Sequence, residues 1–342
     1  MGGPVATGAA TTPNDDHWID PERVSVAICT KGRDETVARA VATVLVDPTE
    51  DVELILVDQN DDDRLVELLA PFAADRRLTH VRLDTPGAGR ARNVALELAT
   101  RPIVCFTDDD CTVPVGWARD MTELFVSRPL LGVVFCSVVD AVGARGDGFT
   151  PDFVIPNEAV FHRWNLGSRA NRLGIGAGMA VRRSTALALG GFDPMMGPGS
   201  AFPSADDREL AVRALFSGSH VMLSPVPTVD HHGHRPDGDA ARALSRRDHL
   251  ALGAMFAKSI DARPVVSSAQ LLVFLGETVG RIVSDSLRRR RPTGFGKIVS
   301  VLSGLLTGRR APRDRAAVSY IDTADATWTI EPRGRADVLV SA

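Results

Sequence analysis

Pro102-Ile-Val-Cys-Phe-Thr-Asp-Asp-Asp-Cys111 is the stretch that decides the fold. Its apolar run, Ile103 to Phe106, ends in three adjacent carboxylates, Asp108, Asp109 and Asp110. A short apolar run closed by charge reads as a buried strand that delivers side chains to a sheet edge. Three adjacent carboxylates repel one another. Gathered at a strand end, they suit a hard divalent cation such as Mg²⁺ or Mn²⁺, which takes oxygen ligands. The plainer alternative is a solvated acidic loop.

Upstream, Val24-Ser-Val-Ala-Ile-Cys-Thr30 is a β-rich run that stops at the turn Lys31-Gly32-Arg33. Asp34 to Leu45 has helical spacing, with acids in its first turn that suit the helix dipole. Val52 to Asp58 is a second strand ending in an acid, Leu65 to Phe72 is helix-like, and His80 to Leu83 is a third strand. Pro86-Gly-Ala-Gly-Arg-Ala-Arg-Asn93 is a Gly-rich entry into a helix reaching about Leu98. This alternation predicts a mostly parallel α/β sheet with helices on its faces. Ligands of such sheets sit at the carboxyl ends of strands, where Thr30, Asp58 and Asp108 fall. Gly87 to Asn93 lacks the Walker ending and is not a full dinucleotide fingerprint. Arg90 and Arg92 near a helix start are phosphate ligands or solvated arginines.

Downstream, Trp117 to Val126 reads as a helix, Leu131 to Val139 as a strand and Gly143 to Pro156 as a loop. Gly174-Ile-Gly-Ala-Gly-Met-Ala-Val-Arg182 suits a strand whose backbone something approaches closely. Ser184 to Leu189 is a short helix closed by Gly190-Gly191. A loop from Pro198 leads into a helix over Asp206 to Phe216. Ser204 and Asp207 have the spacing of a capping box, which would make Asp207 an ordinary first-turn acid. The alternative is that Asp206 or Asp207 points into a cleft. His220 to Val229 is a strand that ends at Asp230-His231-His232-Gly233-His234, a cluster suited to a metal or an anion.

The 342 residues carry a net charge of −4, which excludes a whole-chain electrostatic nucleic-acid binder. Cys29, Cys105, Cys111 and Cys136 form no CxxC pair and suit reduced core thiols in a cytoplasmic protein. Residues 1–22 read as a disordered leader without a signal peptide. No apolar run reads as long enough to span a bilayer.

In this order, the motifs resemble the inverting family 2 glycosyltransferases with the GT-A nucleotide-sugar-binding fold. The first strand with Lys31-Gly32-Arg33, Leu-Ile-Leu-Val-Asp58, Gly87-Ala-Gly-Arg-Ala-Arg92-Asn93, Phe-Thr-Asp108-Asp109-Asp110, Gly190-Gly-Phe-Asp193 and Asp206-Asp207-Arg-Glu-Leu carry the resemblance. Asp206 stands where the family commonly has Glu, and Gly32 where it often has Asn. The resemblance implies a nucleotide-diphosphate sugar as donor. It places Thr30, Arg33 and Asp58 at the base, Arg92 and Asn93 at the Gly-rich helix start, and Asp108 and Asp109 beside the donor. It implies Mg²⁺ or Mn²⁺ held by Asp110 with Asp108 and His231, His232 being the less favoured histidine. Asp207 becomes the general base, with Asp206 its rival. The acceptor would be a saccharide, a polyprenyl-linked sugar or a small molecule, with no nucleic acid involved. Residues 23–235 would form the GT-A domain, and 236–342 a helical extension with a terminal tail.

Two rivals remain. Asp108-Asp-Asp110-Cys-Thr112 also fits the nucleophile motif of haloacid-dehalogenase-like phosphatases, which normally opens the fold, whereas three strands precede it here. A non-catalytic nucleotide-sugar binder would keep the same acids.

In the last third, Ala240 to Lys258 and Ala269 to Leu287 are helical in pattern. Leu271, Leu272, Leu275, Val279, Ile282 and Val283 read as one apolar face. Phe295, Ile298, Val299, Leu302, Leu305 and Leu306 make another stripe, near Lys297, Arg309 and Arg310. The expectation is that these stripes pack on the catalytic domain or in a homodimer. Peripheral contact with the anionic inner face of the membrane is the alternative. Thr327 to Val340 reads as a terminal strand or tail without assignable chemistry.

Overall fold

The computed structural model describes residues 19–48, 51–141, 143, 148–162, 173–236, 238–288, 294–324 and 326–331. The expected leader falls almost wholly outside these residues, as does the tail beyond 331. In the first half, strands β1 (Arg23–Thr30), β2 (Asp51–Asp58), β3 (Leu78–Leu83) and β4 (Ile103–Asp108) alternate with helices α1 (Glu35–Leu45), α2 (Arg64–Leu69) and α3 (Ala88–Leu98). The short β5 (Cys111–Thr112) and α4 (Trp117–Val126) follow. The middle holds β6 (Leu131–Asp140), β7 (Gly148–Phe149), β8 (Ala159–Phe161), β9 (Met179–Arg182), α5 (Arg183–Ala188), α6 (Asp206–Ser217), β10 (His220–His231) and β11 (Arg235–Pro236). The last third holds α7 (Asp239–Ala262), α8 (Pro264–Leu287), α9 (Phe295–Arg310), β12 (Arg313–Asp314), β13 (Ser319–Tyr320) and β14 (Trp328–Ile330).

Why β1 needs an unbroken apolar run is visible in its alternation. Val26 and Ile28 bury against α1 and α4, while Ala27 faces the core shared with α3, α6 and α7. Both faces of the strand are covered, so its centre is apolar and the buried Ser25 and Thr30 hydroxyls are hydrogen-bonded, to Glu53 and Asp109. Strands β3, β2, β1 and β4 run parallel in that order, as do β6 and β10. β9 is inserted antiparallel between β4 and β6. Among the described residues the result is a ten-stranded α/β sheet, mostly parallel in its core and followed by C-terminal helices. The Gly-rich run before β9 is approached closely, as its composition predicts: a Cβ on Gly176 would lie 2.6 Å from the Arg92 guanidinium.

The last third of the chain differs from its sequence reading in two ways. First, the apolar set on α8 divides into two faces. Leu271 and Ile282 are buried, whereas Leu272, Val279 and Val283 are exposed. Second, α8 is long and apolar enough to cross a membrane by length and composition. Gly, Ser and Thr interrupt its apolar run without adding charge, which hides that property from a search for unbroken apolar residues. Of the two forms read for the terminal segment, the described residues take the strand: β14 pairs antiparallel with β3 and becomes the outer strand of the main sheet.

Candidate active site

The carboxyl ends of β1, β4 and β10 meet at one point because β5 turns back onto β10. The register pairs His231 with Cys111 and Asp230 with Thr112. This sets His231 Nε2 3.4 Å from Asp110 Oδ1, with both residues buried. Ligand atoms of Asp110, Cys111 and His231 lie within 4.8 Å of one another. Burial pushes the Cys111 thiol well up, so it stays protonated and is a poor partner for a hard cation. Asp110 and His231 are therefore the pair that fits a divalent metal, with Asp108 outside that tight group. A Cβ on Gly233 would fall against both Asp110 and His231, so the turn after β10 needs its glycine. His232 faces elsewhere, its Nε2 lying 2.9 Å from Thr112 Oγ1.

The other acids have distinct partners. Asp109 accepts from Thr30 Oγ1 at 2.7 Å, and Arg33 donates to Asp110 Oδ2 at 2.7 Å. Thr30 and Arg33 thus grip the acid cluster from the end of β1. Burial pushes the Asp109 carboxyl up to about 7; the Thr30 hydrogen bond opposes this, and Asp110 and Asp108 add to it. Arg92 is buried and bridges two elements, pairing with Asp206 and lying 3.5 Å from Asp108. It joins the start of α6 to the end of β4.

Asp206 and Asp207 open α6 after Ala205, which adopts φ 68°, a left-handed conformation that L side chains rarely take. No side chain caps this helix, so the Ser204–Asp207 capping box does not form. Asp206 is buried on Arg92; burial pushes its carboxyl up to about 6 against the pull of that guanidinium. Asp207 is only partly buried, and one of its oxygens accepts from the Arg208 amide at 2.6 Å.

Two predicted contacts take a different form. Asp58 is completely buried, its oxygens accepting from Asn60, from Arg82 at 3.1 Å and facing His80 at 3.2 Å. It shapes the loop after β2 through Asn60, whose Oδ1 accepts from the Gly32 amide at 2.7 Å. Asn93 clasps the Phe192 backbone, donating to its carbonyl at 2.9 Å and accepting from its amide at 2.7 Å. Beside these residues lies a cavity of about 570 Å³, lined in part by Lys31, Gly32, Asn60, Arg82 and, unexpectedly, Trp328. Sequence reading missed Trp328, although the Trp-Thr-Ile run of β14 carried strand character.

Comparison with known proteins fits this geometry. The sequence profile of glycosyl transferase family 2 matches residues 25–186. Over that stretch the chain is similar to the family. The pre-mycofactocin glycosyltransferase of Mycobacterium tuberculosis is 27% identical over 249 residues, covering 69% of this chain and 47% of that protein. The chain thus matches about half the length of its curated relative. Among solved structures, the mannosyltransferase PcManGT from Pyrobaculum calidifontis, in complex with GDP-Man and Mn²⁺, superposes with a TM-score of 0.55 at 20% identity. That match covers 88% of this chain and 80% of PcManGT. S. aureus TarS 1–349 with UDP-GlcNAc gives 0.57 at 15% identity, covering 84% and 80%. At these identities the structural likenesses show the fold alone.

Proposed function

We propose that the protein is a metal-dependent inverting glycosyltransferase. It transfers a hexosyl group from a nucleotide-diphosphate sugar to an acceptor hydroxyl. The observation that carries this reading is the Arg92 bridge, which ties the acids of β4 to the helix start bearing Asp207. One side of the bridge suits a donor diphosphate, and the other a base for the acceptor. PcManGT's GDP-Man and Mn²⁺, and TarS's UDP-GlcNAc, support the donor class.

Asp110 and His231 would hold Mg²⁺ or Mn²⁺, with Asp108 facing the donor. When bound, the metal neutralises charge on the departing diphosphate. Thr30 fixes Asp109, and Arg33 carries positive charge to the same edge. Asp207 takes the proton from the acceptor hydroxyl. The acceptor oxygen then bonds to the anomeric carbon as the carbon–oxygen bond to the diphosphate breaks, which inverts that carbon. Asp206 is the weaker candidate for base because it is committed to Arg92. The phosphatase alternative is not favoured, since β4 lies inside the parallel sheet after three earlier strands.

The acceptor reading extends to the C-terminal helices. Val265, Leu272, Val279, Val283 and Leu287 are exposed and recur at helical spacing along α8. Phe295, Val299, Leu302 and Leu306 do the same on α9. Between residues 263 and 315 there are eleven Arg or Lys against three Asp or Glu, in a chain whose net charge is −4. Apolar stripes flanked by this excess suit an anionic bilayer surface, where a polyprenyl-linked acceptor would be presented. The four cysteines are free, which supports a cytoplasmic setting at the inner face of that membrane.

The test is a donor screen with purified protein and Mn²⁺, following nucleoside diphosphate release. Asp207→Asn is expected to lower kcat by roughly 10²–10⁴-fold, the usual scale for general-base loss, with donor affinity retained. Transfer at the wild-type rate in that variant would refute the base assignment. Phosphate release from simple esters without a sugar donor would favour the phosphatase.

A further inference from the structure

Thr327 reaches Asp84 across 243 residues of sequence. Its amide donates to Asp84 Oδ1 at 2.9 Å, its hydroxyl to Oδ2, and its carbonyl accepts from the Asp84 amide at 3.2 Å. Five residues earlier, Asp322 takes two hydrogen bonds from Arg90 of α3, at 2.6 and 2.8 Å. Beyond β14, the Glu331 amide donates to the His80 carbonyl at 2.9 Å. The segment is therefore anchored at three places to the catalytic domain.

Covering the exposed edge of β3 would explain the strand pairing. It does not explain the side chain between the anchors. Trp328 lies opposite Leu83 in the register, lines the 570 Å³ cavity and keeps 37% of its surface exposed. The same cavity is lined by Gly32 and Asn60, held in place by Asp58, and by the acceptor carboxylate of Asp61. Lys31 and Gly32 stand between Thr30 and Arg33, the two residues that grip the acid cluster. A flat apolar ring facing fixed polar groups, beside an acidic metal-binding edge, matches the parts of a nucleotide: base, then diphosphate. The volume falls within the range of small-ligand sites, about 300–1,000 Å³.

We infer that β14 forms the outer wall of the donor-nucleotide site and that Trp328 is the face on which the nucleobase stacks, an inference that rests on the donor reading above. The carboxyl-terminal segment then belongs to substrate recognition although it lies far outside the 25–186 family match. Stacking is tolerant of base identity because every base presents a π-face. Discrimination between bases falls to the polar side of the cavity.

Calorimetric titration of the full chain with UDP, GDP, ADP, CDP and dTDP in the presence of Mn²⁺ tests this. For the nucleotide that binds, Trp328→Ala is expected to raise Kd roughly 5- to 150-fold, from the usual scale of aromatic–base stacking. Trp328→Phe should recover most of the affinity. The chain has four tryptophans, so nucleotide quenching of intrinsic fluorescence gives a second readout that Trp328→Phe should strongly reduce. Wild-type affinity in Trp328→Ala, or undiminished quenching in Trp328→Phe, overturns the inference and leaves the donor reading standing. A wild-type protein that binds none of the five nucleotides overturns both.

Discussion

Asp110 lies in the turn between β4 and β5 and His231 ends β10, far away in sequence; the pairing of the two-residue β5 with β10 brings them together. Asp110→Asn and His231→Ala should each weaken Mn²⁺ binding at least about 10-fold, because even outer partners of metal ligands cost 10–100-fold when removed. His232→Ala should leave Mn²⁺ affinity near the wild-type value, since its ring is engaged by Thr112. Calorimetric Mn²⁺ titration checks all three, and equal losses from the two histidine variants would refute the assignment. The acids were legible in the sequence because charge at the end of an apolar run has few structural uses. Their partners were less so. The sequence marked Arg92 as a phosphate ligand or a solvated arginine, whereas it is buried and pairs with an aspartate 114 residues away. Asn93 grips a backbone 99 residues on, and no local pattern announces such a partner.

At the scale of elements, periodicity located nearly every long strand and helix, because burial on one or both faces writes itself into spacing. Pairing order was not legible: nothing within Met179–Arg182 shows that β9 enters antiparallel between β4 and β6. α8 shows a second limit. Leu271 and Ile282 pack inward, while Leu272, Val279 and Val283 face out, so the helix carries two apolar faces that a single-stripe reading merges. The outward stripe runs about 36 Å, from 24 residues at a 1.5 Å rise. If it rests on an anionic bilayer, the protein should co-sediment with vesicles of phosphatidylcholine and phosphatidylglycerol and much less with phosphatidylcholine alone. Leu272→Glu with Val279→Glu should abolish that binding, as charge on an interfacial face is costly, without altering donor turnover in solution. Absence of binding to anionic vesicles refutes the membrane surface. A homodimer in solution that those two substitutions dissociate would assign the stripe to a second copy.

Across the whole molecule, helix α7 is joined to α6 and the loop before it by a buried ionic cluster. Lys258 of α7 pairs with Asp193 and lies 2.7 Å from Glu209, beneath the Tyr320 ring. Arg213 completes the balance with two bonds to Glu209, at 2.6 and 2.7 Å, and holds the carbonyls of Leu189 and Gly191. The Tyr320 amide donates to Asp193 at 2.9 Å. Two cations thus face two carboxylates, and α6, which starts with Asp206 and Asp207, is fastened to α7 and β13. A lysine in the apolar run Ala254-Met-Phe-Ala-Lys258 was the sequence signal for this cluster. Burial alone would raise the Glu209 carboxyl, but Arg213 and Lys258 overcome it and hold it below its ordinary 4.5. A carboxyl lowered by folding stabilises the native state above its unfolded value and loses that contribution as pH falls through the folded one. The wild type should therefore lose this part of its stability below about pH 4.5. Lys258→Met removes one cation and leaves two buried carboxylates sharing Arg213, at a cost of about 3–5 kcal/mol. One carboxyl in the variant would then titrate above its unfolded value, so the variant is hurt most where both are ionised. Denaturant melts of both proteins at pH 8 and pH 5 should show the deficit narrowing toward pH 5. A deficit that is absent, or equal at the two pH values, would show that Lys258 is not the counter-charge to Asp193 and Glu209.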